Sequence, residues 1–336
     1  MVLKNIKAIA FVLFLIFCVT GLFPEKLGVL EEIGRPDMLD VDGDRLYITE
    51  GASIYIYSIK DLSLIKKFGK AGEGPREFQV GRFLRLNIRP DDLQVISVGK
   101  VSYFTKSGDF IKEKRTSAQN QRFEPIGENF VGNSSVRENK INYITLNVYD
   151  SALKKVREIH RWESYNQDGK MPAFPDPPVY SVRNDKIFVL RGNDFAIDAY
   201  DAAGKKLLSI TREYKKRKVT AEDKKMYHHS FSTDLHLKQY YPEVKNIIHF
   251  TGYFPAIEEF MASGDKLYVW THKKEQGKTE FFVFDMKGKL LKKVYLPFLK
   301  RNYFTYFPIT IRNDTLYQLV DNSDTETWEL HAAPFF

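Results

Sequence analysis

The sequence predicts an all-β protein in which six four-stranded sheets stand radially around one axis, the last of them completed by the N-terminal strand. Three observations carry this. A turn of small or acidic residues followed by a short apolar strand recurs about six times. A hairpin signature with a Gly- or Asp-based turn follows most copies. The last copy ends one strand short, while the N-terminus carries a strand with no partner of its own.

The chain of 336 residues opens with Lys4 and Lys7 ahead of an apolar run, 8–19. That is the layout of a signal peptide and is too short to span a bilayer comfortably. Val19-Thr20-Gly21 places cleavage after Gly21, so 1–21 reads as an export signal, with an uncleaved anchor as the alternative. Cys18, the single cysteine, follows the bulky Phe17, where a lipoprotein site wants a small residue, so lipid attachment is the weaker option. The mature chain then lacks thiols, and a core of this size folds without disulfides. The expected location is periplasmic or extracellular, with membrane contact only through the N-terminal segment if it stays.

The repeated turn and strand is Gly43-Asp44-Arg45-Leu46-Tyr47-Ile48, then Asp91-Asp92-Leu93-Gln94-Val95-Ile96, then Gly127-Glu128-Asn129-Phe130-Val131. It returns at Asn184-Asp185, Gly264-Asp265 and Asn313-Asp314, each followed by an apolar strand. The hairpins that follow include Tyr200-Asp201-Ala202-Ala203-Gly204-Lys205-Lys206-Leu207-Leu208 and Phe284-Asp285-Met286-Lys287-Gly288-Lys289-Leu290-Leu291. The sixth copy stops after its third strand, 327–331, and residues 26–34 have the pattern of an outer strand. Pairing the two ends closes the ring and removes the exposed edges of an open array.

Between the first and second sheets lies Phe68-Gly69-Lys70-Ala71-Gly72-Glu73-Gly74-Pro75-Arg76-Glu77-Phe78, a shaped connector with an aromatic anchor at each end. With these residues in view the chain resembles a six-bladed β-propeller of the NHL and TolB-like type. The connector resembles the FG-x-x-G-x-GPGEF segment of exported bacterial six-bladed propellers, with Arg76 where that segment has its second glycine. The resemblance covers nearly everything after Glu25 and implies one domain, 26–336. It is specific for fold and not for activity, since this fold carries enzymes, binding modules and scaffolds.

One stretch, 213–250, departs from the repeat. Thr220-Ala221-Glu222-Asp223 has capping-box character, and 224–241 reads as one or two helices stopped at Pro242, placed as a partial lid beside the channel mouth. Lys215-Lys216-Arg217-Lys218 precedes it and reads as a solvated approach, with an anionic envelope surface as the functional alternative. The formal charge of +8 is a solubilising surplus, and no nucleic-acid partner is expected of an exported chain.

Ligands of such rings bind where the inner strands begin. The inner strands are expected at 38–41, 83–88, 123–126, 179–182, 257–261 and 308–311. Polar residues at or near their starts are Arg35, Asp37, Arg76, Arg82, Arg122, Glu124, Tyr180, Glu258 and Tyr306. Mixed charge flanked by Tyr suits a polar ligand, a peptide, a glycan or an envelope protein, and the competing reading is that these groups bond neighbouring sheets together. The histidines are scattered, and no HExxH, CxxC, EF-hand loop, GxSxG elbow or P-loop occurs, so neither metal nor cofactor is expected. The alternative is a metal-assisted hydrolase or lyase. Six-bladed gluconolactonase-type and strictosidine-synthase-type relatives hold an axial ion, and the resemblance would put Glu124 or Glu258 beside a calcium.

Overall fold

The computed structural model describes residues 24–79, 84–115, 123–164, 169–175, 178–235 and 237–336. The repeats form six four-stranded antiparallel sheets, the blades of a propeller. Each blade takes strands in order from the axis outward. In blade 1 these are Met38–Asp42, Arg45–Glu50, Ser53–Ser58 and Leu64–Phe68. The other inner strands are Arg85–Ile88, Phe123–Ile126, Tyr180–Arg183, Glu259–Ser263 and Ile309–Arg312. They begin within two residues of the expected positions, and Phe83 lies outside the described residues.

In every blade but the second, the first hairpin turns through at least one residue at positive φ, a glycine or an Asn-Asp pair. Asn184-Asp185 and Asn313-Asp314 both adopt left-handed conformations at their two central positions, the geometry that matches the twist of a two-residue hairpin. Alternate side chains then fall on opposite faces, and the apolar ones meet those of the next blade. Six hydrophobic clusters result among the described residues, one per seam between neighbouring blades.

Blade 6 joins the two ends of the chain. Ile309–Arg312, Thr315–Asn322 and Thr327–Pro334 come from the C-terminus, and Glu25–Leu30 supplies the outermost strand. Lys26 pairs with His331 and Leu30 with Trp328 in an antiparallel register. Lys26 also bridges Glu329 at 2.6 Å, and this bond pulls the Glu329 carboxyl down to about 2. Leu30 and Ile33 enter the blade 6–blade 1 core with Trp328 and Leu330, each buried side chain contributing roughly 1.5–3 kcal/mol.

The connector 68–78 works as a plug. Phe78 is fully buried between blades 1 and 2, and Phe68 packs against Phe104 at 4.8 Å. A Cβ on Gly69 would lie 2.6 Å from both the Ala52 carbonyl and the Phe78 ring, and its φ is +86°, so only glycine fits.

The outer edges share a feature that the repeat pattern did not announce. In every blade the register of the outermost strand slips by one residue and pushes out an apolar one, Leu27, Ile65, Ile111, Val156, Leu207 and Leu291, and blade 3 slips a second time at Ile159. All six are exposed, and each has a lysine next to it in sequence. A bulge twists the edge and a neighbouring charge discourages pairing with another chain, so these edges are protected against aggregation.

The insertion between blades 4 and 5 carries α1, Ala221–Thr233, and α2, Tyr241–Val244. Thr220 and Asp223 form a reciprocal capping box. Pro242 does not stop a helix, as expected from sequence, but begins one. It occupies the first turn of α2, where its missing N–H has no intrahelical acceptor to lose, while α1 has already ended at Asp234. Tyr227 and Phe231 of α1 pack with Ala173, Phe174, Phe250 and Phe304, which ties the insertion to the segments leading into blades 4 and 6. The basic run is not simply solvated. Arg217 pairs with Asp223 at 2.6 Å and lies 4.5 Å over the Phe254 ring, and Lys216 pairs with Asp194 at 2.8 Å.

Candidate functional site

The six inner strands surround an axial cavity of about 860 Å³. Its two ends differ in construction. At the connector mouth, chain arriving from the outer strands enters the inner strands, bringing Asp37, Tyr306 and Phe307. At the hairpin mouth the inner strands turn back, bringing Glu128, Arg183, Asp185 and Arg312.

Asp37, Glu124, Tyr180 and Tyr306 lie on the cavity lining. Asp37 accepts the Gly51 N–H at 2.8 Å, while burial pushes its carboxyl up. Glu124 accepts the Val182 N–H at 2.7 Å and sits 3.8 Å from Arg85, so it joins blades 2, 3 and 4. Tyr180 donates to the Val131 carbonyl at 3.4 Å. Tyr306 accepts the Trp270 indole N–H at 3.1 Å, and burial beside Glu258 raises its phenol well above the ordinary value.

Arg35, Arg76 and Glu258 are not among the residues that line this cavity. Arg35 is exposed before blade 1, its backbone N–H donating to Glu50. Arg76 adopts φ +65° in the plug, with its guanidinium 5.4 Å over the Phe110 ring. Glu258 continues the inner strand of blade 5 by pairing its N–H with the Trp270 carbonyl, and strand alternation turns its neighbour Glu259 to the axis instead. Arg82 and Arg122 lie outside the described residues.

Glu258 belongs to an enclosed charge cluster under the insertion. Its carboxylate pairs with Lys300 and lies 3.6 Å from His272 Nδ1, with only 12% of the side chain exposed. Burial disfavours its charge, but His272 and Lys300 more than offset this and hold the carboxyl below the usual range. His272 stacks on Phe254 at 4.5 Å, and burial drives its imidazole down to about 4. The cluster is neutralised from within.

Asp40 and Arg312 were missed from sequence. Arg312 pairs with Asp40 across the blade 6–blade 1 seam, and Thr310 donates to the same carboxylate at 2.8 Å. A signal was present: Arg183-Asn184-Asp185 and Arg312-Asn313-Asp314 repeat the same triplet at the ends of two inner strands. Among the described residues no group of three or more His, Cys, Asp or Glu is placed to hold a metal. Nor do Glu124 and Glu258 share a site, because one faces the axis and the other the insertion. The arrangement offers shape, hydrogen bonds and paired charge to a polar ligand.

No protein-family model matches the chain, and no curated protein matches it by sequence. Among solved structures it is similar to a Bacteroides fragilis protein whose name marks export as inferred, with a TM-score of 0.57 and 12% identity over 93% of this chain and 95% of that one. This likeness shows the fold. The Neurospora crassa Pan2 WD40 domain, at TM-score 0.44 with 10% identity over 93% of this chain and 96% of that one, is too distant to bear on the argument. The same holds for BamB from Moraxella catarrhalis, at 0.31 with 11% identity over 87% and 70%. Among the described residues no helix is long and apolar enough to cross a membrane.

Proposed function

We propose that this chain is an exported, non-enzymatic recognition module that takes a polar partner, a peptide, glycan or envelope protein, at the connector mouth beside the helical insertion. One observation carries the reading. The axial cavity is roomy, yet acidic groups such as Asp40 and Glu124 that line it are tied to neighbouring blades, which suits holding a ligand better than attacking one. Export rests on the signal-like segment 1–21, and the Bacteroides fragilis neighbour marked as exported is consistent with it. The affinity with NHL and TolB-like propellers rests on the connector 68–78.

The test is to probe peptide and glycan arrays with the chain from residue 22, with and without chelator. The expected result is saturable binding, indifferent to chelator and weakened about tenfold by Asp37→Asn. Calcium-dependent hydrolytic turnover lost in chelator would replace this reading with the hydrolase or lyase. Recovery of exported protein beginning at Leu22 checks the cleavage.

A further inference from the structure

Arg183 and Arg312 occupy equivalent positions, each the last residue of its inner strand, and both line the cavity at the hairpin mouth. Their surroundings differ. Arg312 is engaged by the Asp40 carboxylate, the Val41 carbonyl at 3.1 Å and the Ser263 hydroxyl at 3.3 Å. Arg183 donates its Nε–H to the Gly264 carbonyl at 3.2 Å, an acceptor it shares with the Asn184 amide, and no carboxylate among the described residues pairs with it.

We propose that Arg183 is the receptor for a single oxyanion, the carboxylate of a ligand bound at the hairpin mouth of the axial channel. The Gly264 bond fixes the guanidinium by its Nε and leaves the Nη hydrogens, a planar fork that matches a carboxylate with two parallel hydrogen bonds. The nearby charges do not satisfy it. Burial and the Arg312 guanidinium both disfavour its charge, and the opposing Asp40 carboxylate is already held by Arg312 and Thr310. A partly buried guanidinium without an acid is costly, and an incoming anion removes that cost. Glu128 and Asp185 line the same mouth and repel an extended polyanion. The ligand class is therefore a small molecule or chain end carrying one carboxylate. This site goes beyond the recognition role of the connector mouth and holds whether or not that mouth takes a partner.

The experiment titrates the chain from residue 22, by calorimetry, with four probes: acetyl-tetraalanine with a free C-terminus, the same peptide amidated, sodium glucuronate and inorganic phosphate. At least one carboxylate probe is expected to bind saturably, and the amide is not. The peptide and glucuronate arms distinguish a chain end from a sugar acid. Arg183→Gln is expected to weaken binding about tenfold or more with an unchanged melting temperature, and Arg183→Lys, which keeps the charge but not the fork, to weaken it less. Three results overturn the proposal: no saturable carboxylate signal, binding of phosphate alone, or wild-type affinity in Arg183→Gln. Should the Gln variant not fold, wild-type affinity in Arg183→Lys overturns it as well.

Discussion

The two mouths of the axial channel handle charge in opposite ways. Beside the connector mouth, under the insertion and off the cavity lining except at Tyr306, the residues Glu258, Lys300, His272, Tyr306 and Trp270 form a closed set in which the Glu258 charge meets its complement. At the hairpin mouth Arg312 is matched by Asp40, and no carboxylate among the described residues forms an ion pair with Arg183. The difference follows from the amount of chain at each end. Connectors and an insertion bring enough side chains to bury and neutralise a carboxylate, whereas the two-residue turns after Arg183 and Arg312 bring fewer. A charge near a propeller mouth therefore points to a ligand only where the fold has not already provided its partner.

The sharpest way to break this comparison is Glu258→Gln, which strands Lys300 beside a buried neutral group. Urea unfolding is expected to show a loss of about 4 kcal/mol, and a loss below about 1 kcal/mol would mean the connector mouth is no more closed than the other. The pH dependence comes next. His272 titrates near 4 in the fold against an ordinary 6.5, so between those values the unfolded chain binds the extra proton and stability falls as the pH falls. The Glu258 carboxyl, held below its usual range, acts in the same direction at lower pH. About 3 kcal/mol is expected to disappear between pH 6.5 and 4, and His272→Gln should flatten that slope in a series of melting curves.

Asp40→Asn sharpens the comparison at the other end. It removes the anionic acceptor of Arg312 and Thr310 and is expected to cost about 2 kcal/mol by the same unfolding assay. The smallest effect belongs to Arg183→Gln, expected to stay within about 0.5 kcal/mol of the parent. A cost as large as that of Asp40→Asn would show that Arg183 is structural and that the two mouths are alike.

Much of the fold was legible because its signals are local or countable. Strand alternation and the Asn-Asp and Gly-Asp turns act over a few residues, and the missing fourth strand of the sixth copy could be found by counting. The capping box at Thr220 and Asp223 is equally local. Pro242 shows the limit of such rules, since proline suits both the end of one helix and the start of the next, and only the ending of α1 at Asp234 decided between them.

The site was less legible. Glu258 and Glu259 are adjacent in sequence, and a one-residue difference in register sends one under the insertion and the other to the axis. The sequence by itself determined that six sheets form, where each inner strand lies to within two residues, and that the first strand seals the last sheet. It did so because backbone pairing and apolar alternation are written at a spacing of two. Tertiary structure alone decided which charges are cancelled, since Arg312 meets Asp40 across 272 residues of chain and Arg183, with the same local triplet, forms an ion pair with no acid among the described residues. Charge neutralisation depends on which groups the closed ring brings within a few ångströms, and no spacing along the chain encodes that distance.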